Sequence, residues 1–253
     1  MDFFDSHAHY NDEKFEQDRN EIINKIYEDG IKTVICVGYN LEQSKKALDF
    51  SKEFHFMYAT CGISPNDIED FVENKLKEIE EIGKESKIVA IGEIGLDYYW
   101  NKENKEEQKE LFIKQIEIAN RLDKPIVIHT RDAALDTIEI LKNHPVNKKG
   151  IFHCCPLNQE LIKEGLKLGY YISFSGNITF KNAKAESCVS LVPLDRILIE
   201  TDSPYLSPEP FRGKRNDSRN IKLVAQKIAE INKISLEEVA KITYENAKNV
   251  YQI

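Results

Sequence analysis

The chain has 253 residues, 35 of them lysine or arginine and 43 aspartate or glutamate, for a formal net charge of −8, and 41% of its residues are hydrophobic. These totals exclude a disordered chain and a protein that coats nucleic acid through a basic surface, and the length fits one large domain with its own core. They leave room for a local nucleic-acid site, because bound cations reverse the sign of an acidic pocket.

Five cysteines, Cys36, Cys61, Cys154, Cys155 and Cys188, form no CxxC pair and match no zinc-ribbon spacing, so free thiols in a reducing compartment are expected. The opening MDFFDSHAHY lacks the basic end and apolar run of a signal peptide. No stretch approaches the roughly 18 apolar residues of a membrane span. The expectation is a cytoplasmic protein without membrane association or an obligate protein partner.

Short apolar, β-branched runs recur along the chain at Phe3-Phe4, Thr33–Val37, Phe56–Ala59, Ile88–Ile91, Ile126–Ile128, Gly150–Phe152, Tyr170–Ser173 and Ile197–Ile199. They lack polar alternation, as parallel strands covered on both faces do. Helical spacing separates them. Across 105–122, Leu111, Phe112, Gln115, Ile116 and Ala119 share one face, and Leu135, Ile138 and Leu141 mark another helix that stops before Pro145. Residues 221–253 hold two more helical patterns, divided near Asn232 to Ser235. Eight strands alternating with helices predict an α/β fold, a (β/α)8 TIM barrel spanning 1–253 as one domain with an extra C-terminal helix. No GxGxxG follows the first strand, which argues against a dinucleotide-binding sheet.

In such a barrel, residues at the C-terminal ends of the strands face the active site. His7 and His9 follow strand one in HxH spacing, which puts both imidazoles on one side of an extended chain. Glu93 follows strand four, His129 strand five, His153 strand six, and Asp202 strand eight. His55 and His144 fall outside the pattern. Six N/O donors exceed the three protein ligands of a usual catalytic metal and suit two metals sharing a carboxylate. The expected division is His7, His9 and Asp202 on one ion, His129 and His153 on the other, and Glu93 between them. Mixed imidazole and carboxylate donors admit Mg, Mn, Zn or Ni.

The stretches DSHAHY at 5–10, GEIGLDYY at 92–99, IVIHTRDA at 126–133, ISFSGNITF at 172–180, ETDSPYL at 200–206 and PFRGKRN at 210–216 resemble the TatD family of metal-dependent deoxyribonucleases, in order and across nearly the whole chain. The resemblance implies a Mg- or Mn-stimulated hydrolase of DNA phosphodiesters, a 3′–5′ exonuclease on single strands that could extend to RNA. A water activated by two metals would attack phosphorus. It also places the family's metal site on the six residues above. Glu93 and Asp202 are the expected catalytic residues, and Asp202, from its position after strand eight, is a candidate base for that water or else a plain ligand. Two departures touch the pocket wall. Ser64, in Gly62-Ile63-Ser64-Pro65, stands where the family commonly has histidine, and Cys154-Cys155-Pro156 replaces the family's usual loop after His153.

Arg131, Arg212 and, more distantly, Arg215 are candidate phosphate contacts. Asn216 is a candidate to orient a phosphate or a neighbouring backbone group. Tyr98 is a candidate base contact among the aromatics Tyr98, Tyr99 and Trp100. Two other readings compete. One is a hydrolase of another ester or amide on the same barrel; relatives of that kind often bridge their metals with a modified lysine after strand four, whereas this chain has Glu93 and no nearby lysine before Lys102. The other is a non-catalytic binding protein, which would be expected to have lost a ligand.

Overall fold

The computed structural model describes residues 1–100 and 102–253. Each β-branched run becomes a strand: β1 (Phe3–Ala8), β2 (Ile31–Val37), β3 (Met57–Cys61), β4 (Ile88–Asp97), β5 (Ile126–Arg131), β6 (Gly150–Phe152), β7 (Tyr171–Phe174) and β8 (Ile197–Ile199). All pair in parallel with their neighbours in sequence order. The sheet closes from β8 back to β1 through a parallel bridge between Ala8 and Ser203. There His9 N–H donates to Ser203 O at 2.6 Å and Asp202 N–H to His7 O at 2.9 Å. The result is the expected eight-stranded α/β barrel.

The helices α1 (Arg19–Glu28), α2 (Leu41–Glu53), α3 (Glu73–Gly83), α4 (Lys105–Arg121), α5 (Ala134–Asn143), α6 (Gln159–Lys167), α7 (Ala185–Val189), α8 (Ile221–Asn232) and α9 (Leu236–Tyr251) cover the barrel. Helix α4 buries the whole expected face, Leu111, Phe112, Gln115, Ile116 and Ala119. Gln115 belongs there because its amide closes both backbone groups of Ile63, at 2.7 and 2.8 Å. Leu135 departs from expectation. It sits in the first turn of α5 and is 86% exposed, while Thr137, Ile138, Ile140 and Leu141 form the buried face. Ser235 and Glu238 form a capping box that starts α9 after the break at Lys233.

Two apolar layers result. The larger lies between the strands and the surrounding helices. The smaller fills the barrel interior with Phe4, Ile35, Val37, Val89, Val127, Ile151 and Leu198. Val250 and Tyr251 of α9 plug it from below, Tyr251 stacked on Phe4 and donating its hydroxyl to Ser6 O at 2.8 Å. This is the extra C-terminal helix, and it closes the end opposite the strand C-termini. Alternation then sets what stands above the plug. Two residues beyond Val127 is His129, two beyond Ile151 is His153, and two beyond Leu198 is Glu200.

Three strands run further than their apolar runs. β1 continues through His7, β4 through Glu93 to Asp97, and β5 through His129 to Arg131. These ligand candidates are therefore strand residues rather than residues beyond strand ends. The apolar signal stops early because the inward positions near the mouth are polar, while backbone pairing continues. In β4 the register with β5 shifts between Ile91 and Ile94, which re-aims Glu93. Gly95 is required beside it: its φ is +141°, and a Cβ there would lie 2.0 Å from His129 O.

Candidate metal centre

His7, His9, Glu93, His153 and Asp202 have buried side chains or nearly so, and the His129 side chain is 19% exposed. All six converge at the C-terminal mouth, while His55 and His144 lie away from them. His7 Nε2 and His9 Nε2 are 3.1 Å apart, with Asp202 Oδ1 at 3.6 and 3.3 Å respectively. His129 Nδ1 and His153 Nε2 are 3.3 Å apart. Glu93 stands between the two pairs. Its Oε1 is 2.8 Å from His129 Nδ1 and 3.2 Å from His153 Nε2; its Oε2 is 3.6 Å from His7 Nε2 and 3.8 Å from His9 Nε2.

The charges are mutually dependent. Burial pushes the Glu93 carboxyl up, but the facing His153, with hydrogen bonds from His129, His153 and His7, holds it well below its usual range. Burial opposes charge on His153, yet Glu93 and Glu200 raise it well above the ordinary imidazole value. His7 goes the other way, lowered by burial and by His153. Burial also works against an ionised Asp202; the His9 hydrogen bond and the nearby imidazoles outweigh it, so Asp202 stays a carboxylate at neutral pH.

The donor chemistry fits divalent cations. His7, His9 and Glu93 bring ligand atoms within 4.8 Å of one another, as do Glu93, His129 and His153, so the two groups share Glu93. Paired ring nitrogens at such distances cannot all be donors, and lone pairs aimed at a common point are what a cation needs. His7 Nδ1 and Glu200 Oε2 are buried with no hydrogen-bond partner.

Two carboxylates that sequence reasoning left without a role stand behind these donors. Asp97 Oδ2 is 2.9 Å from His129 Nε2, and Glu200 Oε1 is 3.3 Å from His153 Nδ1. A carboxylate on the far ring nitrogen fixes tautomer and orientation. Both lie in quoted motifs, Asp97 in GEIGLDYY and Glu200 in ETDSPYL, so the motifs held the signal but spacing could not say which acid faced which histidine. Glu200 also forms a third possible ligand group with His7 and His153.

The centre opens into a cleft of about 840 Å³. Of the expected substrate contacts, only Arg131 lines it. Tyr98 is 7% exposed and donates its hydroxyl to Asp136 Oδ2 at 2.7 Å, so it packs under the rim. Asn216 is fully buried; its Nδ2 donates to Thr201 O at 2.9 Å and Tyr205 O at 2.8 Å. That is the backbone-orienting alternative of the two roles expected for it. Arg212 lies over the Phe180 ring at 3.6 Å, outside the cleft lining. Arg215 is engaged with Asp18 and Lys14 O. Arg212 and Arg215 are exposed in the loop after β8, whereas Asn216 at its end is buried. Ser64 does line the cleft, with its hydroxyl accepting from Asn66 N–H at 3.3 Å. Cys154 lines it too, only half-buried, with φ of +37° and its N–H donating to Glu200 Oε1 at 2.6 Å. The other four cysteines are buried, and all five are free.

The family described as TatD related DNase matches residues 4–252. The uncharacterized metal-dependent hydrolase YabD of Bacillus subtilis is 43% identical over 99% of both chains. The uncharacterized metal-dependent hydrolase YcfH of Escherichia coli is 36% identical over all of this chain and 97% of its own. Among solved structures, the TatD homolog YJJV of Escherichia coli superposes with a TM-score of 0.94 at 25% identity, covering 99% of this chain and 98% of that one. With a barrel of the same form and clustered histidines and acids able to bind metal, the chain belongs to the TatD-related DNase family and is a metal-dependent hydrolase.

Proposed function

We propose that this hydrolase is a two-metal phosphodiesterase that removes nucleotides from the 3′ end of single-stranded DNA, with RNA a second candidate polymer. The observation that carries the reading is Glu93, whose two oxygens face different donor pairs, Oε1 towards His129 and His153 and Oε2 towards His7 and His9. A carboxylate so placed suits two ions a few ångströms apart. His7, His9 and Asp202 would complete one ion's protein ligands, and His129 and His153 the other's. Magnesium or manganese suits the activity, and the imidazoles also accept zinc or nickel. Divalent cations bound here supply Lewis acidity, lowering the pKa of water and offsetting the charge of a phosphodiester.

The chain's own groups supply the rest. Asp202, an ionised carboxylate at neutral pH, takes the proton of the attacking water. Asp97 and Glu200 hold His129 and His153 in register through their far nitrogens. Arg131, with no carboxylate within ion-pair distance among the described residues, is available to a phosphate. No lysine lines the cleft among the described residues, which speaks against the lysine-bridged amide and ester hydrolases. The free thiols fit a reducing compartment, and we place the enzyme in the cytoplasm. No described helix is long and apolar enough to cross a membrane.

The test is degradation of end-labelled single-stranded DNA by purified protein with Mg or Mn, beside a panel of amides and carboxylic esters. Stepwise release of mononucleotides from the 3′ end is expected. Turnover confined to the amide and ester panel would overturn the proposal.

A further inference from the structure

The substrate-contact residues expected from the sequence mostly turn away from the cleft, and an unassigned group occupies its rim. Trp100 lines the cleft although 67% of its surface is exposed, and Tyr99 beside it is 48% exposed. A tryptophan left in water at a pocket edge does not stabilise the fold by burial. Arg131, from the neighbouring strand β5, lays its guanidinium 3.8 Å from the Tyr99 ring centre and 5.5 Å from that of Trp100.

The group is held in place rather than loose. Tyr99 N–H and Trp100 N–H both donate to Asp97 Oδ1, at 2.9 and 3.1 Å. The other oxygen of Asp97 holds His129. One buried carboxylate therefore fixes the rim to a histidine of the metal centre. Lysines of the outer helices, such as Lys45, Lys46, Lys109, Lys142 and Lys167, pair with carboxylates. Arg131 has none among the described residues, so its charge faces the cleft uncompensated.

We propose that Trp100, Tyr99 and Arg131 form a stacking ledge for the nucleotide next to the bond being cut, Trp100 meeting the base and Arg131 the adjoining phosphate. The inference rests on the nuclease reading above and deepens it. The occupant follows from the chemistry: a flat exposed ring beside an uncompensated guanidinium, continuous with a centre for phosphodiester hydrolysis, matches an unpaired base with its backbone charge. A base inside a duplex offers no free face, so the ledge selects single strands or frayed ends and tolerates any base.

Trp100 is the chain's single tryptophan, which makes the ledge directly observable. The experiment uses the Mg-loaded protein and a phosphorothioate-linked oligothymidylate, with a strand of equal charge made of abasic units as control. Saturable quenching of tryptophan emission by the thymidylate, and none by the abasic strand at concentrations where it binds, is expected. In parallel, Trp100→Ala should raise KM for single-stranded DNA roughly ten-fold, with kcat changed far less. DNA cleavage with unquenched emission and an unchanged KM in Trp100→Ala would overturn the ledge and leave the nuclease reading standing. A Mg-loaded protein that neither binds nor cleaves the strand would overturn both.

Discussion

Asn216 gives the sharpest test of how the mouth is built. Its Nδ2 closes the carbonyls of Thr201 and Tyr205, which flank Asp202, and its Oδ1 accepts from Asp217 N–H at 3.1 Å and from Asn220 Nδ2 at 2.8 Å. The side chain is fully buried. Asn216→Ala strands two carbonyls and two donors, each costing up to about 1–3 kcal/mol if left unpaired; with partial relaxation and water entry, a loss of about 2–4 kcal/mol is expected. Asn216→Asp keeps the volume and the acceptor but removes the Nδ2 donor and turns a carboxylate oxygen on two carbonyls, so it should be at least as damaging. Urea unfolding of both variants in chelator at pH 7 measures the stability. Metal isotherms should show weakened binding, because the segment carrying Asp202 loses its hold. Asn216→Asp with wild-type stability and metal affinity would refute the reasoning.

Three further outcomes follow from particular contacts. Asp97→Asn weakens the brace on His129 and should lower metal affinity by about 10–100-fold, read by competition with a metal indicator, because the replaced group sits directly behind a ligand. Burial, against a hydrogen bond from Asn40, raises the Asp67 carboxyl from 3.8 to about 6. Such a group destabilises the fold: the penalty is absent below the unfolded value and complete above about pH 6. Asp67→Asn should therefore stabilise the chelator-treated protein by about 1–2 kcal/mol at pH 8 and not at all below pH 4, as read by urea midpoints. Asp18 has the opposite sign. The Arg215 guanidinium holds its carboxyl below 3.8, so the stabilisation is present above that pH and fades as pH falls through the folded value. With both side chains 33% exposed, Asp18→Asn should cost under about 1 kcal/mol at pH 7.

The barrel was legible because eight apolar runs and their intervening helices follow from burial on both sheet faces, a local property. The six clustered donors were legible for a related reason: strand direction in a parallel barrel sends C-terminal positions to one mouth. The lengths of β1, β4 and β5 were not, since polar inward residues at 7, 93 and 129 break the apolar signal without breaking backbone pairing. The pairings of Asp97 with His129 and of Glu200 with His153 span 32 and 47 positions in the chain, and sequence spacing carries no information about them. The orientations of the expected substrate contacts were the least legible. Arg212 and Asn216 share one loop near the site, but proximity along the chain does not say which side chains turn inward. Asn216 turned in to bond backbone, and Arg212 turned out onto Phe180. Among the adjacent aromatics, Tyr98 faces inward under the rim and Trp100 faces the cleft, a choice set by the backbone bonds to Asp97.

The proposed function requires that hydrolysis of DNA depend on two ions, which Glu93 would hold from either side. It is tested most directly by titrating metal-free protein with Mn and recording, at each point, bound metal per chain and mononucleotide release from single-stranded DNA. No release without metal, full release as occupancy reaches two per chain, and a Glu93→Gln protein that fails to bind the pair and releases nothing are expected. Full release at one metal per chain, or release that survives metal removal, would contradict it.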